Sequence, residues 1–280
     1  MLFRSRQGIP AAVALAGDAS RILFHSHHGH RDSQSGIKVN DRSVFAVASM
    51  TKAVTAVAAL QLVERGVLSL DAPAGAVLPA LRDLPVLEGF TPTGRPRFSK
   101  TRHDVTLRQL LSHTAGFAYP WNHPLAHQYG TPPNAVPFLV HPPGAGWHYG
   151  VNIDWVGRVI EAATGQSLED YYRAHIFAPL GMDDTTFYLR PEQLDRFVST
   201  WQRSPDGTLV ESARFQDPPP PFCNGGGGLF STASDYLRFL QMILRRGRTE
   251  SGEKLLKASS IDALTANQIG PLEAGRMFTT

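Results

Sequence analysis

The sequence predicts one strongly apolar helix, which must pack against a protein core. The stretch SMTKAVTAVAALQLVERG, from Ser49 to Gly66, has apolar residues at Val54, Val57, Ala58 and Val63 and ends at a glycine, a common helix stop. It predicts a helix that starts at Ser49 and buries one face. A chain of 280 residues is long enough to supply that core without disulfides or a structural metal.

Composition narrows the class of protein. Hydrophobic residues make up 42% and charged residues 18%, and no segment is long and apolar enough to cross a bilayer. The formal charge of +3 comes from dispersed residues rather than a basic stripe. The single cysteine, Cys223, excludes an internal disulfide and is expected to be a small buried residue. We therefore expect no membrane or nucleic-acid partner; the oligomeric state is left open.

The amino terminus imitates a secretory signal, because MLFRSR precedes the apolar GIPAAVALAG. Gly8 and Pro10 interrupt that short run, and AAVALAG and RILFHS are equally typical of two strands joined by a polar turn. We favour the hairpin, and with it a cytoplasmic location.

Further along, helical patterns dominate. They comprise DVTLRQLLSH after a possible Asp104 cap, Asn152 to Thr164 ended by Gly165, SLEDYYRAHIF with a Ser167–Asp170 capping pattern, and the amphipathic STASDYLRFLQMILRRG. Loops are expected from 118 to 146, and DPPPPFCNGGGG is a connector. No later series of strands is evident, and a lone hairpin makes a poor sheet. Either the fold is mostly helical, or the strands that complete the sheet lie beyond the end of this chain.

Ser49 and Lys52 interrupt the apolar helix three positions apart, which places them on one face, a turn apart. A hydroxyl is a poor nucleophile until a base takes its proton, and a desolvated lysine can serve as that base. A helix start also offers backbone N–H groups to developing negative charge. Ser-x-x-Lys alone is a weak signal, since a capping serine is common at a helix start.

Five motifs in order strengthen this interpretation: VFAVASMTKAVTAVAALQLVERGVLSLDAP, TLRQLLSHTAGF, HPPGAGWHYGVNIDWVG, IFAPLGMDDTTF and GGGGLFSTASDYLRFLQMIL. Together they resemble the serine β-lactamase-like superfamily, most of all the class C-related family VIII carboxylesterases and acyltransferases. The resemblance implies an α+β fold of the β-lactamase/DD-peptidase type, in which helices and a helical domain flank an antiparallel sheet. It also implies an acylating Ser49, its partner Lys52, and a tyrosine that maps to Tyr149. We expect no cofactor and no metal.

Tyr149 would act with Lys52 as one coupled proton-transfer unit, because a phenol normally titrates far above neutrality. Without the resemblance, an aromatic packing residue is an equally good interpretation of Tyr149.

The sequence departs from the family pattern at two motifs. Class C β-lactamases carry Tyr-x-Asn, whereas here Val151 follows Gly150 and the asparagine, Asn152, comes one place late. The third motif, a Lys-Thr-Gly or its substitute on a late strand, is not found, which predicts that the C-terminal strands are missing.

We therefore expect one β-lactamase-like domain over residues 1–280, incomplete at its end. It comprises a hairpin plus nucleophile helix at 1–66, a mostly helical and loop region at 67–222, and a Gly-rich turn with C-terminal helices at 223–280. The first functional hypothesis is a serine carboxylesterase or acyltransferase that acts on small-molecule esters through acyl-Ser49. The alternatives are a β-lactamase or D-amino peptide hydrolase with the same residues, and an inactive truncated or binding protein.

Three other residue clusters give only weak indications of a different function. HSHHGH, with His25, His27, His28 and His30, has no carboxylate at ligand spacing, and the sequence favours a hairpin end over a metal site. His113 lies beside Ser112, but the chain has no Gly-x-Ser-x-Gly elbow for a Ser-His-Asp hydrolase. The four glycines at 225–228 lack the lysine of a phosphate-binding loop and predict a tight turn before a helix.

Overall fold

The computed structural model describes residues 8–130, 136–212 and 222–275. The predictions made for the first seven residues, for the four prolines of the connector and for the last five residues concern parts of the chain outside the described residues. The chain divides into two compact units: residues 1–51 with 169–261 form the first, and residues 52–168 with 262–280 form the second. The predicted division at residues 66 and 222 stays a prediction.

Nine α-helices occur in the described residues. They are α1 Thr51–Glu64, α2 Leu107–Leu111, α3 Pro124–Tyr129, α4 Asn152–Thr164, α5 Leu168–Tyr172, α6 Ala178–Leu180, α7 Pro191–Leu194, α8 Ala233–Leu244 and α9 Ala258–Thr265. A π-helical stretch, Arg173–Phe177, joins α5 to α6, and 3-10 turns lie at Ala48–Met50, Ala74–Ala76 and Pro79–Leu81.

The described strands form four antiparallel pairs. They are β1 Ala11–Gly17 with β2 Ile22–Gly29, β3 Phe45–Ala46 with β8 Phe230–Ser231, β4 Pro85–Phe90 with β5 Pro96–Lys100, and β6 Trp201–Arg203 with β7 Leu209–Glu211. The β1–β2 hairpin confirms the strand prediction made from AAVALAG and RILFHS. The pairing of β4 with β5 was missed, because prolines and glycines made this region look like a loop.

In the first unit, β1 and helix α8 pack together, and Gly17 of β1 lies beside Leu237 of α8. A small buried cluster of Val44, Phe197 and Phe230 joins the start of β3 to β8. The core of this unit thus fixes the segment that leads into the Ala48–Met50 turn.

In the second unit, helix α1 is buried around most of its circumference. From Thr51 to Leu62 no residue is exposed, so the prediction of a single buried face underestimated its burial. The chain leaves the helix through Gly66 at φ +72°, as predicted from the glycine. A helix that is apolar all round needs partners on every side.

Two other helix boundaries test the sequence signals. Helix α4 spans the predicted residues, and Gly165 ends it in the left-handed conformation. Helix α2 is capped by Thr106, not by Asp104: Gln109 N donates to Thr106 Oγ1 over 3.2 Å, and Thr106 N donates to Gln109 Oε1 over 3.0 Å. This reciprocal capping box satisfies the backbone N–H groups of Thr106 and Gln109. Asp104 lies too far along the chain from the start of the helix to serve as its cap.

Candidate active site

Ser49 lies in an exposed 3-10 turn, Ala48–Met50, that runs directly into α1. The helix therefore begins at Thr51 rather than at Ser49, which corrects the predicted start by two residues. Ala48 has φ +43°, a left-handed conformation that is rare for residues other than glycine. Such local strain persists only where the surroundings impose it, and it is concentrated at functional positions.

Hydrogen bonds inside the first unit impose this turn. Val47 N donates to Leu229 O over 3.0 Å, and the Thr51 hydroxyl donates to Ala48 O over 2.7 Å. Leu229 N in turn donates to Thr51 Oγ1 over 3.1 Å. The Ser49 turn is thus bonded on both sides to the segment that precedes β8.

Tyr236, on helix α8, completes this support. Its hydroxyl donates to Met50 O over 3.0 Å, and burial raises the pKa of the phenol. The apolar spacing of the sequence predicted only an amphipathic helix here and did not indicate a role for Tyr236. No local signal marks it, because a tyrosine in such a helix is ordinary.

The four glycines at 225–228 make a turn beside the same segment. It leads through the two-residue strand β8 into helix α8, so the predicted tight turn before a helix is confirmed, with a short strand between the two. A Cβ on Gly228 would approach both Asn224 O and the Phe187 ring to 3.0 Å. Only a residue without a side chain fits this space without displacing its neighbours.

In the second unit, Lys52 and Tyr149 come together although the chain separates them by α2 and α3. The Lys52 ammonium lies 4.7 Å from the centroid of the Tyr149 ring and 5.9 Å from that of Tyr119. Lys52 itself is half-buried. An ammonium at this distance from an aromatic face is attracted by the ring quadrupole, so the two groups share one electrostatic environment.

A side-chain hydrogen bond and close backbone packing hold the Tyr149 segment. Asn122 Nδ2 donates to Tyr149 O over 2.6 Å, and a Cβ on Gly150 would meet Phe117 O at 2.4 Å. The glycine that follows Tyr149 in WHYGVN therefore has a steric cause: the backbone of residues 117 and 118 occupies the space of a side chain at position 150.

Asn152 is fully buried and faces the scaffold. Its amide group donates to His113 Nδ1 over 3.0 Å and also lies 3.2 Å from Phe117 O and from His148 O. These contacts use the amide that a second-motif asparagine would offer to a β-lactam. The late asparagine is thus engaged in positioning the loop, which agrees with the departure noted in the sequence.

His113 is the other residue whose importance the sequence did not reveal. It packs on Tyr149 with ring centroids 4.8 Å apart and adopts φ +60°. Desolvation first, and the charge of Lys52 second, lower its pKa to about 4. His113 is therefore neutral at physiological pH, and the bond from Asn152 places its proton on Nε2.

Four aromatic rings surround this region. Tyr119 stacks on the exposed Trp121 at 5.3 Å, and both Trp121 and Trp147 lie 6.5 Å from Tyr149. Burial first, then the negative charge of Asp154, raises the pKa of Tyr119. Tyr119 thus stays a neutral phenol, and the rings offer an apolar wall beside Lys52.

Comparisons with known proteins show the family to which the chain belongs. The beta-lactamase family model matches residues 2–279, so the chain belongs to that family. A monacolin J acid methylbutanoyltransferase of Aspergillus terreus is 38% identical over 265 residues, which are 87% of this chain and 64% of that protein. The lovastatin esterase of Penicillium rubens is 33% identical over 94% of this chain and 70% of its own length. The chain thus spans about two thirds of the length of these relatives.

Among solved structures, a mutant of simvastatin synthase from Aspergillus terreus superposes with a TM-score of 0.83 at 37% identity, covering 91% of this chain and 66% of the synthase. A hydrolase with promiscuous acyltransferase activity, EstCE1, superposes with a TM-score of 0.72 at 23% identity, which shows the fold alone. The predicted α+β fold of the β-lactamase type is confirmed. No helix in the described ranges combines the length and apolarity that a membrane span requires.

Proposed function

We propose that this chain is a serine esterase or acyltransferase that works through an acyl-Ser49 intermediate. The observation that carries the proposal is the Lys52 ammonium placed 4.7 Å from the Tyr149 ring, one helical turn after an exposed serine. The names of the relatives, a methylbutanoyltransferase and a lovastatin esterase, support an ester rather than a peptide as substrate.

In the first step, the Ser49 hydroxyl attacks the ester carbonyl while the Lys52 and Tyr149 pair takes its proton. The bond between the acyl carbon and the alcohol oxygen then breaks, and the same pair returns the proton to the departing alcohol. In the second step the pair takes a proton from water or from an acceptor alcohol, whose oxygen attacks the acyl carbon. The bond between the acyl carbon and Ser49 Oγ then breaks, and the pair returns the proton to Ser49 Oγ. Water gives hydrolysis and an alcohol gives acyl transfer.

The substrate we propose is a small carboxylic ester whose acyl chain is short and whose alcohol is bulky and apolar. The aromatic wall formed by Tyr119, Trp121 and Trp147 supports the apolar alcohol, because flat rings bury large apolar area with little loss of side-chain entropy. No metal or cofactor enters any of these steps.

β-Lactam hydrolysis is the competing proposal, and the buried Asn152 argues against it. The amide that would bind a β-lactam is already bonded to His113 and to two backbone carbonyls. Turnover of nitrophenyl butyrate and of a chromogenic cephalosporin, measured side by side, separates the two. We expect kcat/KM for the ester to exceed that for the cephalosporin by at least about 100-fold, the discrimination that an unmade polar contact can give. A faster cephalosporin would overturn the proposal.

A further inference from the structure

Two histidines of strand β2 share one face. In the antiparallel register His25 lies opposite Leu15 and His27 opposite Val13, and side chains two apart on a strand point to the same side. Their ring centroids are 5.7 Å apart, and both residues are exposed. His28 lies opposite Ala12 and points to the other side of the hairpin.

The chain folds back to bring a carboxylate to this face. After β2, Arg31 N donates to Ile37 O, His30 forms an antiparallel bridge with Lys38, and Val39 N donates to Gly29 O over 3.2 Å. This return runs antiparallel to β2 and leads to Asp41.

A tight turn then fixes Asp41. Ser43 N donates to Asn40 O over 3.0 Å, and Asn40 N donates back to Ser43 Oγ over 2.9 Å. The Asp41 carboxylate contacts His25 Nε2 directly. The carboxylate that is missing near HSHHGH in the sequence is therefore supplied by the fold.

We propose that His25, His27 and Asp41 form a binding site for a divalent transition metal, zinc first among them. One ligand atom from each residue lies within 4.8 Å of the other two. Tetrahedral zinc, with bonds of about 2.0–2.1 Å, needs its ligand atoms about 3.3 Å apart, which small rotations of exposed side chains provide.

The donor set selects the metal. Two imidazoles and one carboxylate suit zinc, copper or nickel better than calcium or magnesium, which prefer oxygen ligands throughout. Three protein ligands leave one tetrahedral position for water. The bound metal would fasten β2 to the segment that leads into β3, and this role is independent of the proposed esterase activity.

The simpler alternative is a plain ion pair between His25 and Asp41. In that case His27 contributes nothing, and zinc has no reason to bind this face. The chain offers a matched control, since His28 is an exposed histidine of the same strand on the opposite side.

Calorimetric titration of the 280-residue chain with zinc chloride in a non-chelating buffer at pH 7.5 tests the site. We expect His27→Ala and Asp41→Asn each to weaken the tightest binding by about tenfold or more, and His28→Ala to change it less than about twofold. Zinc should also raise the melting temperature of the parent and of His28→Ala but not that of His27→Ala. Circular dichroism before titration checks that each variant is folded.

Two results would overturn the site: no binding below millimolar zinc, or equal weakening by His27→Ala and His28→Ala. Equal weakening would assign the binding to histidines elsewhere in the chain.

Discussion

The segments that carry Ser49 and Tyr149 are held in different ways. The Ser49 turn is exposed and bonded through its backbone and two hydroxyl groups, those of Thr51 and Tyr236. The Tyr149 segment is held by a buried amide and a buried imidazole, Asn152 and His113. The proposed nucleophile is thus exposed to solvent, while the segment of the proposed proton-transfer residue Tyr149 is held by buried polar contacts.

This contrast suggests that a nucleophile and a base are held in place by different kinds of contact. A nucleophile must be accessible to substrate, so the segment that carries it is held by hydrogen bonds to its backbone, which persist in contact with water. A base needs a defined environment, so its surroundings are desolvated and every polar contact there counts for more.

The largest expected effect concerns the base. Lys52→Met keeps much of the side-chain volume and removes the amine, so ester turnover should fall by about two to four orders of magnitude. Steady-state rates on nitrophenyl butyrate measure the loss. Lys100→Met, at an exposed position of β5, is the matched control and should keep the parent rate. Near-normal turnover in Lys52→Met would make Lys52 a packing residue.

Tyr149→Phe preserves the ring against His113 and deletes only the hydroxyl. If the phenol takes part in both steps, the acylation burst and the steady-state rate should each fall by about two to three orders of magnitude. Stopped-flow measurement of the burst separates the two steps. Tyr129→Phe, which alters a tyrosine packed on Phe98 and Phe138, should change neither rate. An unchanged burst in Tyr149→Phe would restrict the residue to packing.

The buried imidazole predicts a pH dependence of stability. The pKa of His113 is about 4 in the folded chain against an ordinary value of 6.5, so between these values the unfolded chain binds more protons. Stability therefore falls as the pH drops from 6.5 towards 4, by about 3 kcal/mol from this group, and no further below 4.

His113→Asn tests this dependence, since asparagine tolerates the left-handed backbone at position 113. Urea unfolding at several pH values from 7.5 to 4.5 should show a smaller loss of free energy in the variant than in the parent. Parallel curves for the two proteins would show that His113 is not the group responsible.

The smallest effect concerns the Ser49 turn. Tyr236→Phe removes one hydrogen bond to Met50 O, and we expect a loss of about 0.5–1.5 kcal/mol in the free energy of unfolding. The ester rate should fall less than about tenfold. Tyr129→Phe again serves as control in the same unfolding assay. A loss of activity as large as that in Lys52→Met would mean that Tyr236 does more than hold the turn.

Much of the fold was predictable because the helices have recognisable sequence signals, namely regular apolar spacing and residues typical of helix ends. Helix α4 and helix α8 have regular apolar spacing, and α4 also ends at a glycine, so their positions follow from local sequence. The β4–β5 pair was not predictable, since short strands that begin with Pro85 and Pro96 look like loops until their partners are known.

The candidate site was predictable only in part. Ser49 and Lys52 lie three positions apart in sequence, so their spacing suggested a nucleophile and a base, but this weak signal became specific only with the ordered family motifs. Tyr149 came from the resemblance, because no local pattern shows that a distant tyrosine meets Lys52. The roles of His113 and Asn152 depend on burial and on a contact between α4 and the segment after α2, which no sequence signal contains.

The central claim is that Ser49 carries the acyl group, and covalent labelling tests it most directly. The parent chain is incubated with a fluorophosphonate probe, digested, and mapped by mass spectrometry, with Ser49→Ala and Ser112→Ala treated in parallel. The account predicts one added probe, on the peptide that contains Ser49, in the parent and in Ser112→Ala, and none in Ser49→Ala. Stoichiometric labelling that persists in Ser49→Ala would contradict it.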